Sequence, residues 1–262
     1  MNAGYPGSMN FLDRIRPAKE AEVAALRASP PRADRRRIIR SLHAALSQPD
    51  LAVIAEVKRR APSVGSLAEA ADPVAVARAY ERAGAAAISV LTDGPHFGGS
   101  LADLAAVSAA VDLPVLRKDF LIDPLQVAEA AVHGADAVLL IVAMLDDAQL
   151  AELSAAVTEL GLEALVETHT AEEVERALAA GARIVGVNNR DLESLAIDLA
   201  TGEALLPTLR AAGVVAIGES GVHGPAEARR LRTAGADAIL VGSALMAAPD
   251  PGALVEELRA CG

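Results

Sequence analysis

From residue 51 onward the chain repeats one pattern: a short apolar run rich in β-branched residues, a polar joint, and an alanine-rich stretch with helical spacing. A glycine closes several of these stretches. Ala83-Gly84-Ala85 leads into Ala87-Ile88-Ser89-Val90-Leu91, and His133-Gly134-Ala135-Asp136 leads into Ala137-Val138-Leu139-Leu140-Ile141. Ala180-Gly181-Ala182 precedes Ile184-Val185-Gly186-Val187, and Ala234-Gly235-Ala236-Asp237 precedes Ala238-Ile239-Leu240-Val241. Each joint reads as a helix stopped by glycine and followed by a buried strand. Runs near 51–58, 114–118, 162–167 and 214–218 bring the predicted strands to eight.

Eight βα units in about 210 residues predict a single (β/α)8 TIM barrel of the α/β class rather than an open doubly wound sheet. No G-x-G-x-x-G fingerprint follows the first strand, which also counts against a dinucleotide-binding fold. Upstream, apolar residues at 11, 12, 15, 23 and 26 follow a loose helical period that Pro30-Pro31 ends. A second helix is expected over about Arg35 to Leu46; its basic residues Arg35, Arg36, Arg37 and Arg40 form a solvated face or lie over an anionic site. Residues 1–50 are therefore expected to be an N-terminal helical extension capping a barrel of residues 51–262, one structural domain in all.

The first strand carries a conflict. Leu51-Ala52-Val53-Ile54 reads as buried, yet Glu56 and Lys58 follow, two apart and so on one face. Buried charges are costly unless paired, and for one pair a structural ion pair would suffice. The pattern recurs at the ends of other strands. Lys118 ends the third, Glu167 the fifth, Asn188 the sixth, and Glu219 with Ser220 the seventh. In such a barrel the active site lies at the C-terminal ends of the strands, and alternate strands fill one layer. Two lysines and three glutamates brought together there are suited to proton transfer, because burial and neighbouring charge pull their pKa values apart into an acid and a base.

Gly221 after the seventh strand, and Gly242-Ser243 after the eighth, just before a short helical stretch at Ala244 to Ala247, occupy the usual phosphate site of these barrels. Phe97 and Phe120 follow the second and third strands in a chain with three Phe, two Tyr and no Trp; they suit either a planar substrate or core packing. Arg190 can bind a carboxylate or brace its loop through Asp191, and bracing is the reading preferred here.

Composition narrows the partners. Hydrophobic residues make up 52% of the 262, but no run reaches the ~18–20 apolar residues of a membrane span. Met1 to Asn10 lacks a basic start followed by an apolar segment, so no secretion signal is expected. A lone Cys261 cannot form an internal disulfide, which is compatible with a cytoplasmic location. The net charge of -11 argues against a nucleic-acid partner, so an anionic small ligand needs a local positive pocket. Only three lysines stand against 21 arginines, and two of them sit at strand ends, where a compact, titratable ammonium is useful.

These residues carry a resemblance to the indole-3-glycerol phosphate synthase family over about Phe11 to Met246. Its strongest pieces are Ile54-Ala55-Glu56-Val57-Lys58-Arg59, Phe97-Gly98-Gly99-Ser100, Arg117-Lys118-Asp119-Phe120, Leu165-Val166-Glu167, Gly186-Val187-Asn188-Asn189-Arg190-Asp191-Leu192, Gly218-Glu219-Ser220-Gly221 and Val241-Gly242-Ser243. The resemblance implies a cofactor-free, metal-free decarboxylating lyase of tryptophan or indole synthesis, acting on a phosphorylated small molecule. It also implies a role for each residue. Lys118 is the first acid, Lys58 holds the substrate carboxylate and donates a later proton, Glu167 handles dehydration, and Glu56, Asn188 and Glu219 position and polarise. How the two lysines divide their roles stays open. Ser220, Gly221, Gly242 and Ser243 would take the phosphate, and Phe97 and Phe120 the aromatic ring. Other enzymes of tryptophan synthesis are the partners this reading would bring.

The chain departs from the family pattern after the first strand. Where the family usually has Ser-Pro-Ser-Lys-Gly, this chain has Ala61-Pro62-Ser63-Val64-Gly65, losing a hydroxyl and a loop lysine. One lost hydrogen bond to a charged group costs on the order of 1.5–3 kcal/mol, so weaker phosphate binding is expected. Gln126-Val127-Ala128-Glu129-Ala130-Ala131 also lacks the family's usual Tyr and Arg. Two rival readings are a phosphoribosylanthranilate isomerase-like barrel, opposed by the absence of a cysteine at any strand end, and a non-catalytic phosphosugar-binding paralogue, opposed by the retained lysines.

Overall fold

The structure, a computed structural model, describes residues 11–32, 38–61, 65–66, 71–192 and 194–262. Eight parallel strands close into a barrel in chain order: β1 (Ala52–Val57), β2 (Ala87–Leu91), β3 (Val115–Lys118), β4 (Ala137–Ile141), β5 (Glu163–Thr168), β6 (Ile184–Asn188), β7 (Val215–Glu219) and β8 (Ala238–Val241). Closure is made by β1, which pairs with both β2 and β8. The predicted barrel is thus present, with strand ends within a residue or so of the expected ones.

Register aligns the site. Leu91 lies opposite Lys118, Ile141 opposite Glu167, and Asn188 opposite Glu219. All these residues reach the same rim, because parallel strands joined by helices point the same way. The four glycine closures take left-handed backbone, with φ between 78° and 113°, so each helix ends where the sequence predicted. At the opposite end, two buried or half-buried aspartates fasten neighbouring strands. Asp136 accepts from the Val115 N–H at 2.9 Å, and Asp237 accepts from the Ala216 N–H at 2.9 Å.

The expected second helix needs correction. It spans Leu42–Leu46 alone, started by Ser41, whose Oγ accepts from the Ala44 N–H at 3.0 Å. Ile38 to Arg40 are not helical. Arg40 is instead drawn onto Asp136, donating from its backbone N–H at 3.1 Å and its Nε at 2.8 Å. Arg40 therefore does not belong to a solvated face; Arg35, Arg36 and Arg37 lie outside the described residues, as do Pro62, Ser63 and Val64.

The helix Phe11–Ala28 buries Phe11, Leu12, Ile15, Lys19 and Val23, a stripe of three- and four-residue steps. A lysine inside that stripe is satisfied by three carboxylates. Lys19 Nζ lies 2.8 Å from Asp119, 3.2 Å from Asp93 and 3.1 Å from Glu22. Asp119 also faces Arg117 at 3.0 Å, and Arg117 and Lys19 hold its carboxyl down at about 2 against the effect of burial. Arg16 adds a hydrogen bond to the Met144 carbonyl. This helix is therefore tied to residues that follow β2, β3 and β4, across the same rim as the charged set. Among the described residues, no helix is long and apolar enough to cross a membrane.

Candidate active site

Alternation along β1 turns Glu56 into the barrel, and Lys58, one residue past the strand end, follows on the same side. Lys58 Nζ lies 2.7 Å from Glu56 Oε1. From β3, Lys118 Nζ reaches Glu167 Oε2 at 3.0 Å and Glu219 Oε2 at 3.5 Å, so one ammonium faces two carboxyl groups. Asn188 completes the group by donating from Nδ2 to Glu167 Oε1 at 3.0 Å.

Charge separates these groups. Burial pulls the Lys118 ammonium down, but Glu167, Glu219 and Glu56 outweigh it and hold the lysine above its ordinary range. Burial pushes the Glu167 carboxyl up, and Lys118 with His169 reverses this and holds it well below the usual carboxylate range. Glu219 goes the other way: its own burial and the Glu167 charge raise it. The set therefore holds a charged ammonium, an ionised carboxylate and a carboxyl that retains its proton, an acid and base pair of unequal strength.

Two glycines make room for this packing. A Cβ on Gly186 would collide with Glu219 Oε1, and one on Gly242 would collide with Glu56 Oε1 and come within 3.0 Å of Lys58 Nζ. Gly242 thus stands against the Glu56–Lys58 pair, while Ser243 lines the cavity at the start of the helix Ser243–Ala247. After β7 the chain turns through two left-handed residues, Ser220 (φ 62°) and Gly221 (φ 84°). Asn189 fixes that turn, donating from Nδ2 to the Glu219 and Ser220 carbonyls at 2.9 and 3.0 Å.

The rim encloses a cavity of about 160 Å³. Its floor is Glu56, Lys58, Lys118, Glu167, Asn188 and Glu219; Phe11, Phe97 and Phe120 form one wall, and Leu192, Leu195 and Ile197 another. Phe120 meets Phe97 and Phe11 with ring centroids 6.2 Å apart in both cases. Arg190 also lines the cavity, and its Nη1 donates to the Leu195 carbonyl at 2.9 Å within the loop after β6, a different partner from the Asp191 expected from sequence. Among the described residues, no group of three or more His, Cys, Asp or Glu side chains is placed to hold a metal ion.

The sequence model for indole-3-glycerol phosphate synthase matches residues 12–258. The chain belongs to this family. Indole-3-glycerol phosphate synthase of a Parafrankia species is 50% identical over 260 residues, covering 97% of both chains. The corresponding proteins of Mycobacteroides abscessus (49% identical, 97% of this chain and 93% of that one) and Micrococcus luteus (52%, 94% and 90%) are similar to the same degree. Among solved structures, thiamine phosphate pyrophosphorylase from Pyrococcus furiosus superposes with a TM-score of 0.61 at 19% identity, covering 84% of this chain and 97% of that one. A 3-hexulose-6-phosphate synthase gives 0.58 at 23%, covering 81% and 99%. Both likenesses concern the barrel alone.

Of the residues assigned to the site through the indole-3-glycerol phosphate synthase resemblance, all line the cavity except Gly242. Three features were missed. Phe11 reaches the cavity from the N-terminal helix, and no local signal in the sequence shows that this helix crosses the rim. Leu195 and Ile197 line the cavity from the segment after β6, on which the strand and helix pattern is silent. His169 lies 3.5 Å from Glu167, and the two-residue spacing that paired Glu56 with Lys58 would have found it. The segment lacking the family's Tyr and Arg does structural duty here, with Gln126 Oε1 accepting from the Ile122 N–H at 2.8 Å and Arg117 pairing with Glu129 at 3.0 Å.

Proposed function

We propose that the chain closes the ring of 1-(2-carboxyphenylamino)-1-deoxyribulose 5-phosphate, with loss of carbon dioxide and water, to give indole-3-glycerol phosphate. The carrying observation is the Lys118 ammonium set between Glu167 and Glu219 at the floor of a cavity with an aromatic wall. Lys118 protonates the ribulose carbonyl oxygen as the ring carbon attacks it, a role that a charged ammonium in a dry site fits. Lys58, steadied by Glu56, holds the substrate carboxylate until it leaves as carbon dioxide, and can then donate a proton. Glu167, ionised, takes the proton that must leave for water to be expelled.

Glu219 and Asn188 keep Lys118 and Glu167 in place. The aryl ring lies against Phe97, Phe120 and Phe11, and the phosphate against Ser220, Gly221, Gly242 and Ser243, with Arg190 shaping the loop beside it. Supporting this reading are the family membership and relatives near 50% identity that bear the synthase name. Residence in the cytoplasm, among other enzymes of tryptophan synthesis, belongs to the same proposal.

A fluorescence assay for indole-3-glycerol phosphate, run with substrate varied and no cofactor or metal added, tests it. Turnover is expected. A Michaelis constant above that of relatives carrying Ser-Pro-Ser-Lys-Gly would place the cost of Ala61 and Val64 in phosphate binding. No turnover by folded protein would sink the proposal and favour a phosphosugar-binding role.

A further inference from the structure

His169 lies one residue past β5 and two beyond Glu167, and it is not among the residues lining the cavity. The following helix, Ala171–Ala179, holds it. The His169 backbone N–H donates to Glu173 Oε2 at 2.7 Å, and ring Nδ1 lies 3.2 Å from the same oxygen. Glu173 is itself fixed where the helix starts, its N–H donating to Thr170 Oγ1 at 3.2 Å.

The other ring nitrogen is the unusual one. His169 Nε2 is buried without a hydrogen-bond partner and sits 3.5 Å from Glu167 Oε1, the oxygen that already accepts from Asn188. With Nδ1–H used toward Glu173, a neutral ring would aim a lone pair at a carboxylate. An imidazolium aims an N–H there instead. The charged groups facing the ring are Glu167 on its own strand, Glu173 on the next helix and Lys118 on β3, behind which stands Glu219. Burial alone would discharge the ring, but Glu173 and Glu167 outweigh burial and Lys118, and raise it above the ordinary histidine value.

We propose that His169, braced by Glu173, is a positioning residue for the synthase reaction: it sets the rotamer of Glu167 and presents an N–H to Oε1 from outside the substrate cavity. This rests on the dehydration role given to Glu167 above. When Glu167 takes a proton, the imidazolium favours its release again once water has left, returning the carboxylate for the next cycle. Nothing in this touches substrate, so its mark is on kcat and its pH dependence rather than on KM.

The test measures kcat and KM from pH 3 to 9 for wild type, His169→Ala, His169→Gln and Glu173→Gln, with Glu167→Gln as reference and thermal melting as a check on folding. Glu167→Gln should lose turnover. His169→Ala should lower kcat roughly tenfold with KM within about twofold, and move the acid limb of kcat up by about one pH unit, because Glu167 then ionises less readily. His169→Gln keeps an amide N–H near the Nε2 position; it should recover much of kcat while the limb stays shifted. Glu173→Gln should give a smaller shift in the same direction.

Folded His169→Ala with wild-type kcat and an unmoved limb, beside an inactive Glu167→Gln, overturns the proposal. Should His169→Ala not fold, an unmoved limb in His169→Gln overturns it equally. Full turnover by Glu167→Gln would instead show that the role of Glu167 is wrong, and the proposal falls with it.

Discussion

At Lys118 a single ammonium faces two carboxyl groups whose surroundings make them unequal. Removing it takes away the proposed acid and leaves Glu167 and Glu219 facing each other without the ammonium between them. Lys118→Ala is therefore expected to lower kcat by about 10²–10⁴-fold, the range for a positioned acid, while substrate binding changes less. Unchanged turnover in the fluorescence assay would remove Lys118 from that role. Gly242 makes a second prediction. Gly242→Ala drives a methyl group into the Glu56–Lys58 pair, so kcat/KM should fall at least about tenfold while overpacking costs only about 1–3 kcal/mol of stability. A variant that loses stability but keeps wild-type kcat/KM would show that the pair tolerates displacement.

The element that most changes the sequence-based picture is the N-terminal helix Phe11–Ala28. It brings Phe11 to the cavity wall, and its buried Lys19 holds it there against Asp93 and Asp119. Lys19→Met strips the shared cation from two buried carboxylates, a loss of about 3 kcal/mol that urea unfolding would read. KM should rise with it, since Phe11 loses its seat; a raised KM without destabilisation would point to a different anchor. The strands and helix ends of the barrel were legible in the sequence because apolar runs and closing glycines are local signals. Lys58, Lys118 and Glu167 were legible because a charge at the end of an apolar strand contradicts its surroundings. Phe11 and the course of Arg40 were not, since each depends on a partner about a hundred residues away, Phe120 in one case and Asp136 in the other.

For the whole molecule, the buried carboxyls set a stability profile with two opposed slopes. Asp119 and Glu167 hold their protons less tightly folded than unfolded, so their contribution is present above the unfolded carboxyl value and lost as pH falls through the folded one. For Asp119, whose folded value is about 2, this is worth on the order of 2 kcal/mol, lost between about pH 4 and 2. Glu219 has the reverse sign. Its folded value is raised, so its contribution is whole below the unfolded value and is lost as pH rises through the folded one. Urea midpoints measured from pH 3 to 9 should fall toward both ends, and Glu219→Gln, which mimics the protonated acid, should flatten the alkaline decline. An alkaline slope unchanged in that variant would assign it to another group.

The clearance that Gly186 and Gly242 give to Glu219 and Glu56 also limits how this chain can vary. Every one-base change that replaces a glycine adds at least a Cβ, and at these two positions that carbon strikes a carboxylate of the charged floor. A library selected for growth without supplied tryptophan would therefore hold both glycines nearly invariant. They would rank beside the lysines in apparent importance, although neither position offers a side-chain atom to the chemistry.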